Sequence, residues 1–497
     1  MGIIIKQSFW GTFITYLGLF FGYINVLYFR AEYFDLQQIG IFSLVTANAM
    51  MISPISSFGM SSSYLKFFPS FDVEDRRKFF SFLFLITLIG NALVIITIWL
   101  LSDHIESRYA ETAPTYINYL SISIIIILAN SFFELFFRYS NTIMQVTFPT
   151  FLREIYLRAG SLILVFGFAL QWWDFDGAII GLGLLYAFAV VFLFIQLLII
   201  HRFRFDFRFG KISNFWNWKL LKFAIYSMLL AGSFAVLNNA TYDQVTAILG
   251  AEANAIFATC FFIAIVVELP QRNMAKVINP ILSNEFAKKN MVEVEKIYKR
   301  SSITMSVVGL LLFIGIVTNL KDLFQFIPKG DAFETGFLIV AGICFIKLIV
   351  MVSSFAGEII NYSNLYHYNL LFQILAALTL LVLNYFIISS MGLNGAAISY
   401  CSAILLHILL KIAFVRFHFK MHPFMKSHIG LFIIGTLIFI GAYFFQPEVH
   451  PVLRIVFRSV LTTLIFTILI YRFRISNDIN QLIHSTFERL LKINLPK

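Results

Sequence analysis

The sequence predicts an all-α polytopic membrane protein of about 14 transmembrane helices, built as two six-helix lobes followed by two C-terminal helices. Three observations carry that reading. The 497 residues are 59% apolar and only 13% charged, with a mean hydropathy of +0.84, whereas a soluble chain of this size needs a far more charged surface. Apolar stretches able to cross a bilayer, about 20 residues each, recur throughout the chain. Finally, with the N-terminus placed inside, 29 of the 37 Lys and Arg fall in inward segments and 5 in outward loops, while Arg158, Lys347 and Arg458 lie within spans. One missed span would reverse every later loop and mix the two populations, so the asymmetry supports an even span number with both termini cytoplasmic.

The apolar windows fall at 8–29, 39–59, 79–101, 115–137, 149–170 and 177–200, then at 219–241, 247–269, 302–320, 333–355, 365–388, 392–414, 428–446 and 452–472. The first lacks a basic leader and a small-residue cleavage site and is read as retained. Between the sixth and seventh lies a basic cytoplasmic linker, 201–218. The inward segment 270–301 carries Phe286 and Val292–Lys296 in a pattern that suits an interfacial helix. The tail 473–497 repeats the theme, with apolar residues of 475–493 spaced three and four apart. Trp10, Trp99, Trp172, Trp173, Trp216 and Trp218 sit near span ends, where amphipathic rings anchor at the interface.

The same numbers exclude several classes. A net charge of +11 would suggest nucleic acid in a soluble protein, but here it is topology. Three cysteines make no disulfide framework, and Cys260, Cys344 and Cys401 lie in apolar runs as small hydrophobes. Outward loops are no longer than about 13 residues, so function has to lie within the membrane. No P-loop is present, so drive falls to an ion gradient, the membrane potential or consumption of the substrate on the far side.

An internal repeat appears at an offset near 215. Gln38-Ile-Gly-Ile-Phe42 leads to Pro54 and Ser63–Lys66, and Asn254-Ala-Ile-Phe257 leads to Pro270 and Asn279–Leu282. A basic, mixed-charge cytoplasmic stretch follows each. Six spans of offset preserve orientation, which gives parallel repeats about an axis along the membrane normal. The lobes are then 1–200 and 219–414, with two added spans in 428–472.

The start Gln7-Ser-Phe-Trp-Gly-Thr with Tyr16-Leu-Gly18, and Ile39-Gly-Ile-Phe-Ser43 after an acidic outward turn, resemble the Wzx-type polysaccharide and lipid-linked oligosaccharide flippases. These belong to the multidrug/oligosaccharidyl-lipid/polysaccharide superfamily, and the resemblance covers nearly the whole chain. It implies a fold like that of the multidrug (MATE) and lipid II (MurJ) transporters. It also implies a non-enzymatic flippase that moves a polyprenyl-pyrophosphate-linked oligosaccharide, a repeat unit of O-antigen, capsule or exopolysaccharide, across a bacterial inner membrane by alternating access. The implied partners are that glycolipid, membrane lipids and the polysaccharide polymerase machinery, with no nucleic acid. No cofactor is implied beyond Na⁺ or H⁺ coupling.

An ionisable group among acyl chains costs several kcal/mol and so faces protein or water. Lys347, mid-span in the tenth span, leads a cationic set with Arg158, Arg138 and Arg153, whose guanidinium and ammonium groups suit a pyrophosphate. Its replacement by Ala is expected to abolish glycan export at normal membrane levels. The alternative is local pairing, Glu134 with Arg138 and Glu154 with Arg158. Arg30 and Arg272 join the set by position and by the resemblance, since arginines in the corresponding helices of lipid II flippases face the cleft. Asp243, Glu252, Asn238 and Asn239 are the residues suited to ion coupling or to sugar hydroxyls. The Asp174-Phe-Asp176 motif lies on an outward loop without nucleotide sugars, and His418, His422 and His428 lie in a basic loop without carboxylates or thiolates; both are read as structural. Two other readings are an ion-coupled multidrug or metabolite antiporter of the same fold and a membrane polysaccharide polymerase or ligase. The first calls for acidic residues deep in a lobe; the second calls for a large outward loop, which the chain lacks.

Overall fold

The computed structural model describes residues 2–200, 203–209 and 218–491, with the side chains of 2–9, 11–12, 73–74 and 486–491 left aside. Most of the expected linker, Trp216 included, and the last six residues lie outside the described residues. The chain divides into two compact units, Met1–Ala258 with Leu381–Gly392, and Thr259–Leu380 with Leu393–Lys497.

In the first unit, α1 (Gly2–Ile24) passes through a π-helical turn, Asn25–Phe29, into α2 (Arg30–Tyr33). α3 (Leu36–Ser56) opens on a capping box, in which the Gln38 N–H donates to Asp35 Oδ1 at 2.7 Å and the Asp35 N–H to Gln38 Oε1 at 3.0 Å, satisfying donors a helix start leaves open. Next come α4 (Met60–Phe67), α5 (Val73–Leu100), α6 (Ser102–Tyr109) and α7 (Leu120–Thr142). α8 (Thr147–Phe151) and α9 (Leu157–Ala169) flank a second π-helical turn, Leu152–Tyr156, before α10 (Phe175–Ile199) and α11 (Trp218–Leu249). α12 (Ala251–Ala264) begins in this unit. A largely aromatic core of Tyr64, Phe79, Phe80, Phe133 and Phe136 fills the end beneath α4. The described part of the linker is extended, so alternate residues face one way, and Phe203 and Phe205 join that core. Beside them, a hydrogen bond from Arg208 brings the Asp206 carboxyl down to about 2.

The second unit continues with α13 (Leu269–Ala287), α14 (Met291–Phe326), α15 (Gly330–Glu334), α16 (Phe337–Ser353), α17 (Ala356–Tyr362) and α18 (His367–Phe419). α19 (Lys426–Phe444), α20 (Pro451–Arg472) and α21 (Asn477–Leu491) complete the chain. The amphipathic tail is therefore helical where described. The helix expected near 286–296 is not a separate one, because the chain breaks at 288–290 and Met291 starts the long α14.

Among the described residues, eleven helices are long and apolar enough to cross a membrane, or twelve if the bent pair α16 and α17 forms one span. The fourteen apolar stretches exceed that number for two physical reasons. α18 spans 53 residues with non-helical backbone at Gly392 (φ 58°, ψ −140°). That break divides it into two helices, each long enough to cross the hydrocarbon core, and the element carries both 365–388 and 392–414. The 149–170 stretch is carried by α8, a π-helical turn and α9, each too short alone.

The compact units are not the lobes the repeat suggests, since 219–258 packs in the first unit, with α11 lying along α3. The two repeat-related openings also meet there. Asn254 Nδ2 donates to the Gly40 carbonyl at 2.9 Å, and a Cβ at Gly40 would lie 1.8 Å from the Ala251 carbonyl oxygen. Only glycine permits that backbone approach.

Candidate functional site

Glycine also decides how the first span meets the fifth. A Cβ at Gly18 would lie 2.2 Å from the Glu154 carbonyl oxygen, so α1 and the second π-helical turn touch backbone to backbone. The first π-helical turn places an arginine beside α9. Arg30 follows the first and donates from a guanidinium nitrogen to Ser161 Oγ of α9 at 2.9 Å, a hydroxyl that Asn25 Nδ2 reaches at 3.1 Å. Its guanidinium lies 4.2 Å from the Phe42 ring centroid, a cation–π contact that needs no counter-charge. Arg30 forms no ion pair among the described residues, and its buried Nε has no hydrogen-bond partner.

The other expected arginines of this unit gather nearby. Arg153 pairs with Glu134, which lies 4.0 Å from Arg138, and Arg158 pairs with Glu154 at 2.9 Å. Arg30, Arg153 and Arg158 all come within electrostatic reach of Tyr186 on α10. The local pairing expected as the alternative is present, yet four arginines share two glutamates, which leaves two positive charges in surplus, and Arg30 is the one of the four with no glutamate partner among the described residues. Nothing in the sequence pointed to Tyr186 or Ser161, neutral residues on α10 and α9, the latter 131 residues after Arg30.

Lys347 and Arg272 belong to the second unit and meet at one carboxylate. Glu268 binds Lys347 Nζ through one oxygen and Arg272 Nε through the other, the latter at 3.2 Å. Lys347 is 4% exposed and lies 5.6 Å from the Tyr400 ring centroid. Pairing answers how an ammonium survives mid-span, and it changes what Lys347→Ala is expected to do. Breaking a buried pair by removing one partner costs about 3–5 kcal/mol, so membrane levels fall along with activity. A double-mutant cycle of Lys347→Met and Glu268→Gln, read by thermal melting in detergent, should show the double variant more stable than the sum of the singles; additive losses would mean that the pair carries no coupling.

The acidic set does not form one site. Asp243 accepts from Arg108 at 2.6 Å and from the Tyr109 hydroxyl, and burial, then that carboxylate, pushes the Tyr109 phenol up. Asn238 and Asn239 donate to their own helix, to Phe234 and Ala235 at 2.8 and 2.9 Å, while Glu252 is exposed in the first turn of α12. Among the described residues, no three His, Cys, Asp or Glu gather as a metal would need. Asp174 caps α10 through the Gly177 N–H at 2.8 Å, and Asp176 accepts from Tyr119. His418 stacks on Phe414 at 4.1 Å, and His428 is buried against Ser302 at 3.2 Å.

The fold is one shared by helical membrane transporters. No family model matches the chain, and no curated protein matches it. Among solved structures it is similar to a lipid II flippase, MurJ, in an inward closed conformation, with a TM-score of 0.75 at 14% identity over 95% of this chain and 100% of that one. It is also similar to an inward-facing multidrug resistance MATE family transporter of the MOP superfamily, with a TM-score of 0.62 at 13% identity over 82% and 94%. A third is a MOP superfamily transporter from Pyrococcus furiosus, with a TM-score of 0.59 at 14% identity over 84% and 95%. This is a multi-pass membrane protein of the MurJ/MATE fold.

Proposed function

We propose that the protein is a Wzx-type flippase that carries a polyprenyl-pyrophosphate-linked oligosaccharide from the inner to the outer leaflet of a bacterial inner membrane. The observation that carries the reading is Arg30, a half-buried arginine without an acidic partner among the described residues, in a cluster of four arginines and two glutamates. A fixed cationic surplus in an apolar surround attracts an anion and repels the cations that a multidrug antiporter exports. Guanidinium forks match phosphate oxygens in pairs, so Arg30, Arg158, Arg153 and Arg138 hold the pyrophosphate. In the second unit, Arg272 and Lys347 share Glu268.

The fourteen-span topology with cytoplasmic termini, the two repeat-related lobes and drive by a Na⁺ or H⁺ gradient belong to the same proposal. So does passage of the product to a polysaccharide polymerase. The fold similarity to a lipid II flippase supports a lipid-linked substrate. Deleting the gene in its host should make lipid-linked oligosaccharide accumulate on the inner leaflet without changing sensitivity to cationic dyes. Dye sensitisation with normal glycan export would favour the antiporter.

A further inference from the structure

A cavity of about 1350 Å³ opens in the second unit where α21 folds against the start of α14 and the end of α20. Lys296, Lys299, Arg300, Arg472, Arg474 and His484 line it. α21 is fixed in place: Arg300 pairs with Asp478, and Thr304 Oγ1 lies 3.1 Å from Ser476 Oγ and 3.2 Å from Asp478. The lysines are also engaged, Lys299 with Glu295 at 2.6 Å and Lys296 with Glu293 at 3.3 Å. Arg472 and Arg474 form no ion pair among the described residues, and the left-handed backbone at Arg474 (φ 50°) turns the chain at the mouth of the cavity. Two guanidinium groups are left to bind an anion.

The rim says which anion. Val292, Met425 and Tyr471, which line it, are 79, 39 and 44% exposed, an apolar skirt that acyl chains cover and a free phosphate cannot. The cavity is also larger than a drug-sized ligand fills, and its lining of five Lys and Arg against Glu295, at the end of the apolar helix α20, favours anionic lipid. We infer that this cavity is a binding site for an anionic phospholipid, with the headgroup phosphate on Arg472 and Arg474 and the acyl chains over Val292, Met425 and Tyr471. It is distinct from the arginine cluster of the first unit, and it stands or falls independently of the proposed transport.

The test uses the full chain purified in detergent, incubated with phosphatidylcholine vesicles containing phosphatidylglycerol or cardiolipin, and native mass spectrometry of retained lipid. Each basic residue near an anionic surface contributes about fivefold, so Arg472→Ala with Arg474→Ala should weaken retention about 25-fold. Lys321→Ala, an exposed lysine near the far end of α14, should retain lipid as wild type does. Should the double variant fail to fold, Arg474→Gln alone should weaken retention about fivefold with unchanged melting. Retention equal to wild type in a folded variant overturns the site, and displacement of the lipid by millimolar inorganic phosphate overturns the lipid assignment in favour of a soluble anion.

Discussion

Replacing Arg30 by Ala should lower glycolipid export about 10- to 100-fold, the equivalent of one charge-assisted hydrogen bond of about 1.5–3 kcal/mol, while leaving membrane levels close to normal. The second half follows from what Arg30 touches. It gives up one hydrogen bond to Ser161, whose hydroxyl keeps Asn25, and one ring contact with Phe42, and no acid is left stranded. Arg30→Lys should be intermediate, since an ammonium keeps the charge but not the fork. Export and immunoblotted membrane level measured together decide it; a variant with full export would remove Arg30 from the site.

Asp322→Ala should be the most destabilising single change outside the cluster. Asp322 and Arg458 are each 3% exposed. Arg458 reaches Asp322 at 2.7 Å, the Thr318 carbonyl at 2.7 Å and the Phe445 carbonyl at 3.0 Å, and Arg454 takes the other Asp322 oxygen at 2.9 Å. One carboxylate therefore fastens α20, and the turn before it, to α14. Removing it strands a buried guanidinium at a cost of about 3–5 kcal/mol, read as a lower melting temperature in detergent. Arg454→Met with Arg458→Met in the same chain should restore much of the loss, because no charge is then left unpaired. A melting curve unchanged by Asp322→Ala would show the network to be solvated.

The helices and their apolar character were legible because hydropathy is local. The span count was harder to read from helix length, since a left-handed glycine at 392 joins two stretches and a π-helical turn divides another. Two glycines of the resemblance, Gly18 and Gly40, mark backbone contacts that admit no Cβ. The pairs Glu134–Arg138 and Glu154–Arg158 were visible at four-residue spacing. Glu268 with Lys347 and Asp322 with Arg458 were not, because 79 and 136 residues separate the partners and no periodicity records such a meeting. That is why Lys347 reads as an unpaired cation in the sequence and as half of a salt bridge in the fold.

The most direct measurement of the central claim is flipping by purified protein in vesicles. Wild type should move a polyprenyl-pyrophosphate-linked oligosaccharide between leaflets, and Arg30→Ala, folded and reconstituted in equal amount, should do so at least about tenfold more slowly. Equal rates for the two proteins, or a wild type that leaves the glycolipid in place and transports a small organic cation, would contradict the account.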